Sequence, residues 1–280
     1  AMIVARLATA LCLAVALLPL ELRAQPATAE LSVWLQESSW GARIQAFVGQ
    51  TTANPPPVIT NQNDRQAFAQ MVATTMPAEA IIDEIAASMS RRLAPETIEV
   101  IQRFTATGVG VRISRRFREL SLEMITAEGE AAVLESGRLV LEADRLVGSA
   151  RTDDYARMVG DPDLLALEIA GALALQHALW APLVAAGMTG EPMEPAAYRA
   201  WLEADRERME TAYVADLTLI YAHAFKPFSD GILGWAADIS DSAEGRRFAE
   251  AYLKAETAAL LPRALALGAQ MAERFAGEEH

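Results

Sequence analysis

The sequence predicts an all-α protein, arranged as a duplicated helical-hairpin bundle with two pseudo-repeat halves. The composition is 52% hydrophobic but only 6% aromatic and is rich in alanine, which favours helices over strands. Apolar residues recur at helical spacing through most of the chain. A seven-residue motif also occurs twice, each time between two segments with helical periodicity, and this repetition predicts the duplication.

The two copies of this motif read FTATGVG over residues 104–110 and ISDSAEG over residues 239–245. The hydroxyl groups of Thr107 and Ser242 are placed to cap the following helix by accepting hydrogen bonds from its free N–H groups. Gly110 and Gly245 then fall at the third helical position, where the lack of a side chain lets the preceding helix approach closely. We therefore interpret the motif as a structural helix–turn–helix corner that carries no chemistry.

Residues 1–24 are predicted to be a cleaved signal peptide. Arg6 precedes the apolar run Leu7–Leu18, which is too short to span a bilayer as a helix of the mature protein. Small residues permit cleavage after Ala24 or after Ala29, and Ala24 is favoured because it lies nearer the run. An uncleaved anchor is the alternative. Cleavage would place the protein in the periplasm or outside a bacterial cell.

Cys12 is the one cysteine of the chain, and it lies inside the apolar run. A cleaved protein would contain no cysteine, which excludes disulfides and excludes zinc or iron–sulfur sites with cysteine ligands. The net charge is −13, which disfavours nucleic acid because its phosphates require a basic surface. We expect no nucleic-acid partner and no cofactor.

Residues 25–150 are predicted to form the first helical half. Three consecutive prolines mark an exposed loop over residues 50–64, and Pro77 divides the helical pattern that follows. The helices of this half are expected over residues 30–49, 65–93 with its break, 95–106, about 111–134 and 139–147. Residues 151–160 are predicted to be a linker with one short helical turn.

Residues 161–280 are predicted to form the second helical half. Its helices are expected over residues 164–186, 195–225, 229–239 and 243–275. Asp161 is the predicted N-cap of the first of these, with Pro162 at the first helical position. This helix is the most apolar of the mature chain. Pro182 and three polar residues in it favour a central helix packed on several sides, and we expect no mature transmembrane helix.

An offset of 135 residues superimposes the two halves and takes Phe104 to Ile239. Residues 93–110 and 228–245 each place a short helix before a hydroxyl, a small residue and a helix-opening glycine. In this pattern the chain resembles the domain of unknown function 2059 family of exported bacterial proteins. Thr107 replaces the serine of that family in the first copy, and Ile239 replaces its aromatic residue in the second. The resemblance implies an exported, all-helical fold and no established chemistry.

No catalytic, cofactor-binding or metal-binding residues are predicted. No pair of histidines stands at metal-ligand spacing, and the chain lacks the serine-nucleophile and phosphate-loop motifs. We expect a structural role for His177 and for His223. An enzyme would need a cleft that brings Glu168 and His177, or a similar pair, together. We therefore expect that the protein is not an enzyme.

A basic stretch departs from the acidic composition, because residues 91–118 contain seven arginines and two acids. Four of these arginines lie on the helix after the first corner: Arg112, Arg115, Arg116 and Arg118. One interpretation is a solvated face that pairs with acidic groups of the same chain. The other is a binding face for an envelope protein or an anionic surface.

The predicted function is that of a non-enzymatic interaction module of the bacterial cell envelope. The alternative is a periplasmic carrier or sensor of a hydrophobic or anionic small molecule. A carrier of a hydrophobic molecule needs an apolar groove between the halves. The candidates to line it are the aromatic residues near the apolar helix, Trp180, Tyr198, Trp201 and Trp235.

Overall fold

The structure, a computed structural model, describes residues 28–275, and every regular element in this range is an α-helix. The helices are α1 (Thr28–Glu37), α2 (Ser39–Ala53), α3 (Gln62–Thr75), α4 (Ala78–Arg92), α5 (Pro95–Ala106), α6 (Gly108–Glu123), α7 (Ala127–Leu146), α8 (Arg151–Val159), α9 (Pro162–Ala185), α10 (Pro195–Ala204), α11 (Arg206–Phe225), α12 (Asp230–Ser240) and α13 (Ala243–Phe275). The predicted all-α class is confirmed. The predicted signal peptide and Cys12 lie outside the described residues, whereas Ala29 lies in the first turn of α1.

The helix predicted over residues 30–49 is wrong, because the chain breaks there into α1 and α2. Ser38 separates them: its hydroxyl accepts a hydrogen bond from the Trp40 N–H at 3.2 Å and donates one to the Leu35 carbonyl at 2.8 Å. A serine that bonds the backbone in this way competes with the helical hydrogen bonds and ends α1. The predicted stop at Gly49 is also wrong, since α2 continues to Ala53.

Other helix boundaries in the structure also differ from the predicted ones. The helix expected to run from the first corner to residue 134 ends at Glu123, and α7 then forms one uninterrupted helix over the segment expected to be broken. The helix expected over residues 195–225 is divided at Asp205. The loop expected over residues 50–64 is shortened at both ends and is anchored by Ile59, which is buried.

One kind of corner connects consecutive helices at four places. In each, a serine or threonine precedes the helix and a glycine stands three residues later: Ser38 with Gly41, Thr107 with Gly110, Thr126 with Gly129, and Ser242 with Gly245. A Cβ atom on these glycines would lie 2.3, 2.0, 1.8 and 2.3 Å, in that order, from a carbonyl oxygen of the preceding helix. Glycine is therefore required for the close approach. Only the corners at Thr107 and Ser242 were predicted. The corners at Ser38 and Thr126 have no counterpart 135 residues away, so the duplication stays a prediction.

The core is shared by both predicted halves. Helix α13 packs against α3, α4 and α5 from the first half and against α9 and α12 from the second, while α11 packs against α7 and α8. The predicted linker contributes α8, from which Tyr155 and Met158 are buried in the same core. The predicted halves are therefore not separate packing units.

The contact between α9 and α13 is close because glycines line it. A Cβ on Gly171 would lie 2.5 Å from the Thr257 hydroxyl oxygen, and one on Gly268 would lie 2.4 Å from the Leu179 carbonyl oxygen. Residue numbers rise together along the two helices at these contacts, so α9 and α13 run in the same direction. We call this line of contact the α9–α13 seam.

Two neighbouring glycines at the first corner allow a matched test of the corner geometry. Gly110→Ala places a methyl group against the Phe104 carbonyl, so we expect it to lower the free energy of unfolding by about 1–3 kcal/mol. Gly108→Ala lies in the same helix turn with open space around its Cβ, and we expect no loss of stability. Urea unfolding of both variants measures the difference, and equal stabilities would contradict the steric argument.

Candidate functional site

A buried cluster of charged side chains joins α2 to both helices of the seam. The Arg43 guanidinium of α2 donates to both carboxylate oxygens of Glu256, at 2.7 and 2.8 Å, and to a carboxylate oxygen of Glu168, at 2.8 Å. All three side chains are less than 10% exposed. Arg43 therefore bridges α9 and α13 from one side of the seam, with a bidentate pair on α13 and a single bond to α9.

The electrostatics of this cluster are those of a structural ion network. Burial by itself lowers the pKa of Arg43, but the charges of Glu256 and Glu168 outweigh burial and raise that pKa well above its ordinary value. Burial raises the pKa of Tyr252 well above its ordinary value, and the Tyr252 hydroxyl donates to the Trp40 carbonyl at 2.9 Å. A permanently charged guanidinium and a protonated phenol hold helices together and supply neither a base nor a nucleophile.

The opposite side of the seam is open. Each residue of an α-helix is rotated by about 100° from the one before it, so Ala166 and Ala170 lie about 160° around α9 from Glu168. On α13, Leu261 and Leu265 lie at least about 140° from Glu256. Because Arg43 holds both glutamates on the covered side, these four apolar residues all face the other side.

This open face consists of exposed apolar residues from two parallel helices: Ala166, Ala170, Ala258, Leu261, Pro262 and Leu265. Leu261 is 36% exposed and Leu265 is 54% exposed. Three of the charged residues near these positions point elsewhere, since Glu168 and Glu256 bind Arg43, and Arg263 pairs with Glu84 of α4 at 2.6 Å. The open face is thus largely apolar on a protein whose net charge is −13, with the exposed Lys254–Glu250 ion pair of α13 on the same side.

By length and hydropathy, α9 is also a candidate membrane span in the described part of the chain. Its most apolar window has a mean hydropathy of 1.5, and 33% of that window is buried. The covered side of α9 carries the ion pair to Arg43. A further cluster of buried side chains packs α9 against α10. The exposed remainder of α9 includes its part of the open face.

The four arginines predicted as a binding face are mostly engaged within the chain. Arg116 pairs with Glu123 at 2.8 Å, and Arg118 donates to the Glu37 carbonyl at the C-terminal end of α1 at 2.9 Å. The Arg112 guanidinium lies over the Phe228 ring, 5.9 Å from its centroid. Arg115 is exposed. These contacts favour the interpretation of an internally paired face.

His223 of α11 lies where α6 and α11 meet. Its Nε2 contacts the Arg116 guanidinium and lies 3.4 Å from a Glu123 carboxylate oxygen. Burial, and then the charge of Arg116, lower the pKa of His223. Its Nδ1 is buried and has no hydrogen-bond partner among the described residues. His223 is therefore held neutral at a helix contact, in agreement with a structural role.

Glu168 and His177, the pair that an enzyme would need, do not contact each other. Glu168 is held by Arg43, whereas the His177 Nε2 lies 3.0 Å from the Pro195 carbonyl oxygen, and the ring stacks on Tyr198 with 6.0 Å between centroids. No group of three or more histidine, cysteine or acidic residues suited to a metal ion occurs within residues 28–275. The two contacts of the His177 ring, with Pro195 and with Tyr198, hold α10 against α9.

The aromatic residues expected to line one groove lie in two places. Trp201 stacks on Tyr198 at 5.9 Å on the surface of α10, where Trp201 is 46% exposed. Trp235 packs against Phe104 at 4.8 Å, at the contact of α12 with α5. The structure therefore does not bring the four predicted aromatic residues into one groove.

A second buried arginine was missed by the sequence analysis. Arg151 of α8 donates to the Phe225 and Phe228 carbonyls, at 2.9 and 3.1 Å, and pairs with Asp230 at 2.8 Å. Its neighbour Tyr155 has a pKa raised to about 12, chiefly by burial. Arg151 thereby satisfies the last carbonyl of α11 and one in the turn that follows it, and its position in the predicted linker gave no signal of this role.

Comparisons with family models, curated proteins and solved structures find no match for this chain. The resemblance to the domain of unknown function 2059 family therefore remains a prediction. The class that the described residues define is an all-α protein with a buried ion network on one side of the α9–α13 seam and an open apolar face on the other.

Arg43→Met tests the ion network. The substitution leaves two buried carboxylates without their counter-ion, so we expect it to lower the free energy of unfolding by about 3–5 kcal/mol. Arg138→Met is the control, because its ion pairs on α7 are exposed and should contribute little. The triple variant Arg43→Met, Glu168→Leu, Glu256→Leu should regain most of the loss. Urea unfolding measures all three, and an Arg43→Met protein as stable as the wild type would contradict the assignment.

His223 should make the stability depend on pH. Its pKa is depressed in the folded state, so the unfolded chain binds the proton more readily below about pH 6.5. The free energy of unfolding should therefore fall as the pH decreases from about 6.5 towards the folded pKa. His223→Leu should flatten the profile in that window, and the NMR titration midpoint of His223 should lie below 6.5. A midpoint at or above the ordinary value would refute the prediction.

Proposed function

We propose that this protein is a non-enzymatic interaction module of the bacterial cell envelope, and that it binds an apolar helical surface of a protein partner through the open face. The observation that carries the proposal is the exposure of Leu261 and Leu265 on the same side of the seam as the exposed alanines of α9. Contiguous exposed apolar surface on an otherwise charged protein is typical of protein–protein or membrane contact sites.

The shape of the open face fits a helix. Ala166 and Ala170 are small and lie nearer the N-terminal end of the seam, and Leu261 and Leu265 project from α13 further along it, so the face is a shallow furrow with alanine at one end and leucine at the other. An amphipathic helix can place its apolar residues into such a furrow at the spacing of one and two turns. The six residues of the open face offer apolar contact and carry no polar side chain that would orient a small substrate.

The location in the envelope is proposed from the sequence. The apolar run Leu7–Leu18 after Arg6, followed by small residues, is the pattern of an export signal. The negative net charge favours solubility after export. The partner is then bound through the open face. The internally paired arginines after the first corner are not part of this proposed surface.

Photo-crosslinking in living cells tests the proposal. A photoreactive side chain at Leu265 should form adducts with protein, whereas one at Leu139 should not. Leu139 of α7 is the matched control because it is 55% exposed, like Leu265, but lies away from the open face. Leu265→Glu should remove the adducts formed from a second reactive side chain at Leu261. Equal labelling from Leu265 and Leu139, or no adduct from Leu265, would refute the docking surface.

A further inference from the structure

The contact between α9 and α10 has a small core of its own. Its buried side chains form a cluster separate from the main core of the protein: Ile169, Leu173, Ala181, Val184, Tyr198 and Leu202. Half-buried Trp180 and Tyr213 border both clusters. Within residues 28–275, α10 packs closely on α9 and α11 and on no other helix. Helix α10 is therefore attached at the edge of the structure and is not part of the main core.

Two side chains carry most of the attachment of α10. Tyr198 and Leu202, one helical turn apart, are its buried residues, and the remaining residues of α10 are exposed. Tyr198 also forms a side-chain hydrogen bond with Gln176 of α9. The Gln176 side-chain oxygen is buried and has no hydrogen-bond partner among the described residues. This unsatisfied acceptor weakens the contact, because burial removes its hydrogen bonds to water.

Both ends of α10 are breaks in the helical chain. The loop before α10 holds Gly187 and Gly190 at positive φ angles of 74° and 139°, a region that glycine adopts readily. At the other end, Asp205 separates α10 from α11. Helix α9 is fixed independently of α10, by the ion pair of Glu168 with Arg43 and by the close seam with α13. Helix α10 can therefore swing away while α9 stays in place.

The surface of α9 beneath α10, which we call the α10 site, is apolar and uncharged. It consists of Leu165, Ile169, Leu173, Ala181 and Val184. Residues three apart are neighbours on a helix surface, so Ala166 and Ala170 of the open face adjoin Ile169 and Leu173 of the α10 site. Displacement of α10 would extend the open face into one continuous apolar surface along α9.

We propose that α10 is a displaceable cover, and that an amphipathic helix of the partner replaces it at the α10 site. The exchange rests on the proposed function, because it describes how the same docking surface is controlled. Helix α10 shows what the site accepts, a short helix with an aromatic residue and a leucine one turn apart. A partner helix that also contacts Ala166 and Ala170 would bury more apolar surface than α10 does, and it would therefore displace α10.

A lipid bilayer is the other apolar surface that α9 could meet, because its length and hydropathy suit a membrane span. The pairing of Glu168 with Arg43 opposes insertion, since α9 would have to carry a charged pair into the lipid or break it. A protein helix at the α10 site leaves this pair and the α9–α13 seam intact. A helical partner is therefore the occupant that the structure favours.

Native-state cysteine labelling of the purified protein tests the cover. In a Cys12→Ser background, Leu173→Cys places a thiol beneath α10, and Leu267→Cys places a matched thiol in the main core. Maleimide should label position 173 at least about tenfold faster than position 267. The rate at position 173 should depend little on urea, because displacement of α10 exposes far less surface than global unfolding.

Two variants of α10 separate its displacement from global stability. Leu202→Ala should speed labelling at position 173 and leave the rate at position 267 unchanged. Arg199→Ala, at an exposed position of the same helix, should change neither rate. Equal rates at the two positions with the same steep urea dependence would overturn the cover, as would an equal rise at both positions in Leu202→Ala. These measurements involve no partner, so their failure would leave the proposed function standing.

Photo-crosslinking in cells tests the exchange. A photoreactive side chain at Ala170 should form adducts with protein, and Leu202→Ala should raise the yield per molecule at least about twofold, because it increases the open population. Arg199→Ala should not raise it. An unchanged yield in Leu202→Ala, with adducts still formed from Leu265, would overturn the exchange but keep the proposed docking surface. Labelling of position 173 that vesicles of phosphatidylethanolamine and phosphatidylglycerol accelerate would overturn the partner helix in favour of lipid.

Discussion

The ion network of Arg43 determines how the central helices are arranged. One guanidinium satisfies a carboxylate on α13 with two hydrogen bonds and a carboxylate on α9 with a third, and all three groups are removed from water. Charged groups are tolerated at such depth only when each has its partner, so the network permits one orientation of α9 about α13. The orientation that satisfies Arg43 also turns Ala166, Leu265 and their neighbours to the other side of the seam.

Close approach between helices is the second constraint. Glycines stand where α13 meets α9, where α7 meets α11 and at four corners, and at each of these places a Cβ would collide with a neighbouring atom. Short distances between helix axes allow thirteen helices within residues 28–275 to share one core without many large aromatic residues. The same closeness explains why the two predicted halves interlock, since α13 is packed by helices from both of them.

The functional consequence is an asymmetry between the two sides of the α9–α13 seam. The covered side uses its polar groups internally, and so do the arginines that looked available in the sequence, because Arg116 and Arg118 bind groups on neighbouring helices. The open side keeps an apolar surface that water disfavours. Exposed apolar surface of this kind is typical of a site that a partner covers.

The helical class, the hydroxyl caps at Thr107 and Ser242 and the glycines that follow them could be read from the sequence, because each depends on residues a few positions apart. The helix breaks at Ser38 and Asp205 were not predicted, because the helical spacing of apolar residues continues across both positions. Neither the Arg43 network nor the open face could be predicted, because Arg43 is more than a hundred residues from both Glu168 and Glu256 and meets them only after folding. The sequence by itself determined which segments are helical. Tertiary packing decided which sides of α9 and α13 are buried, because that choice depends on the buried charges that reach them from α2.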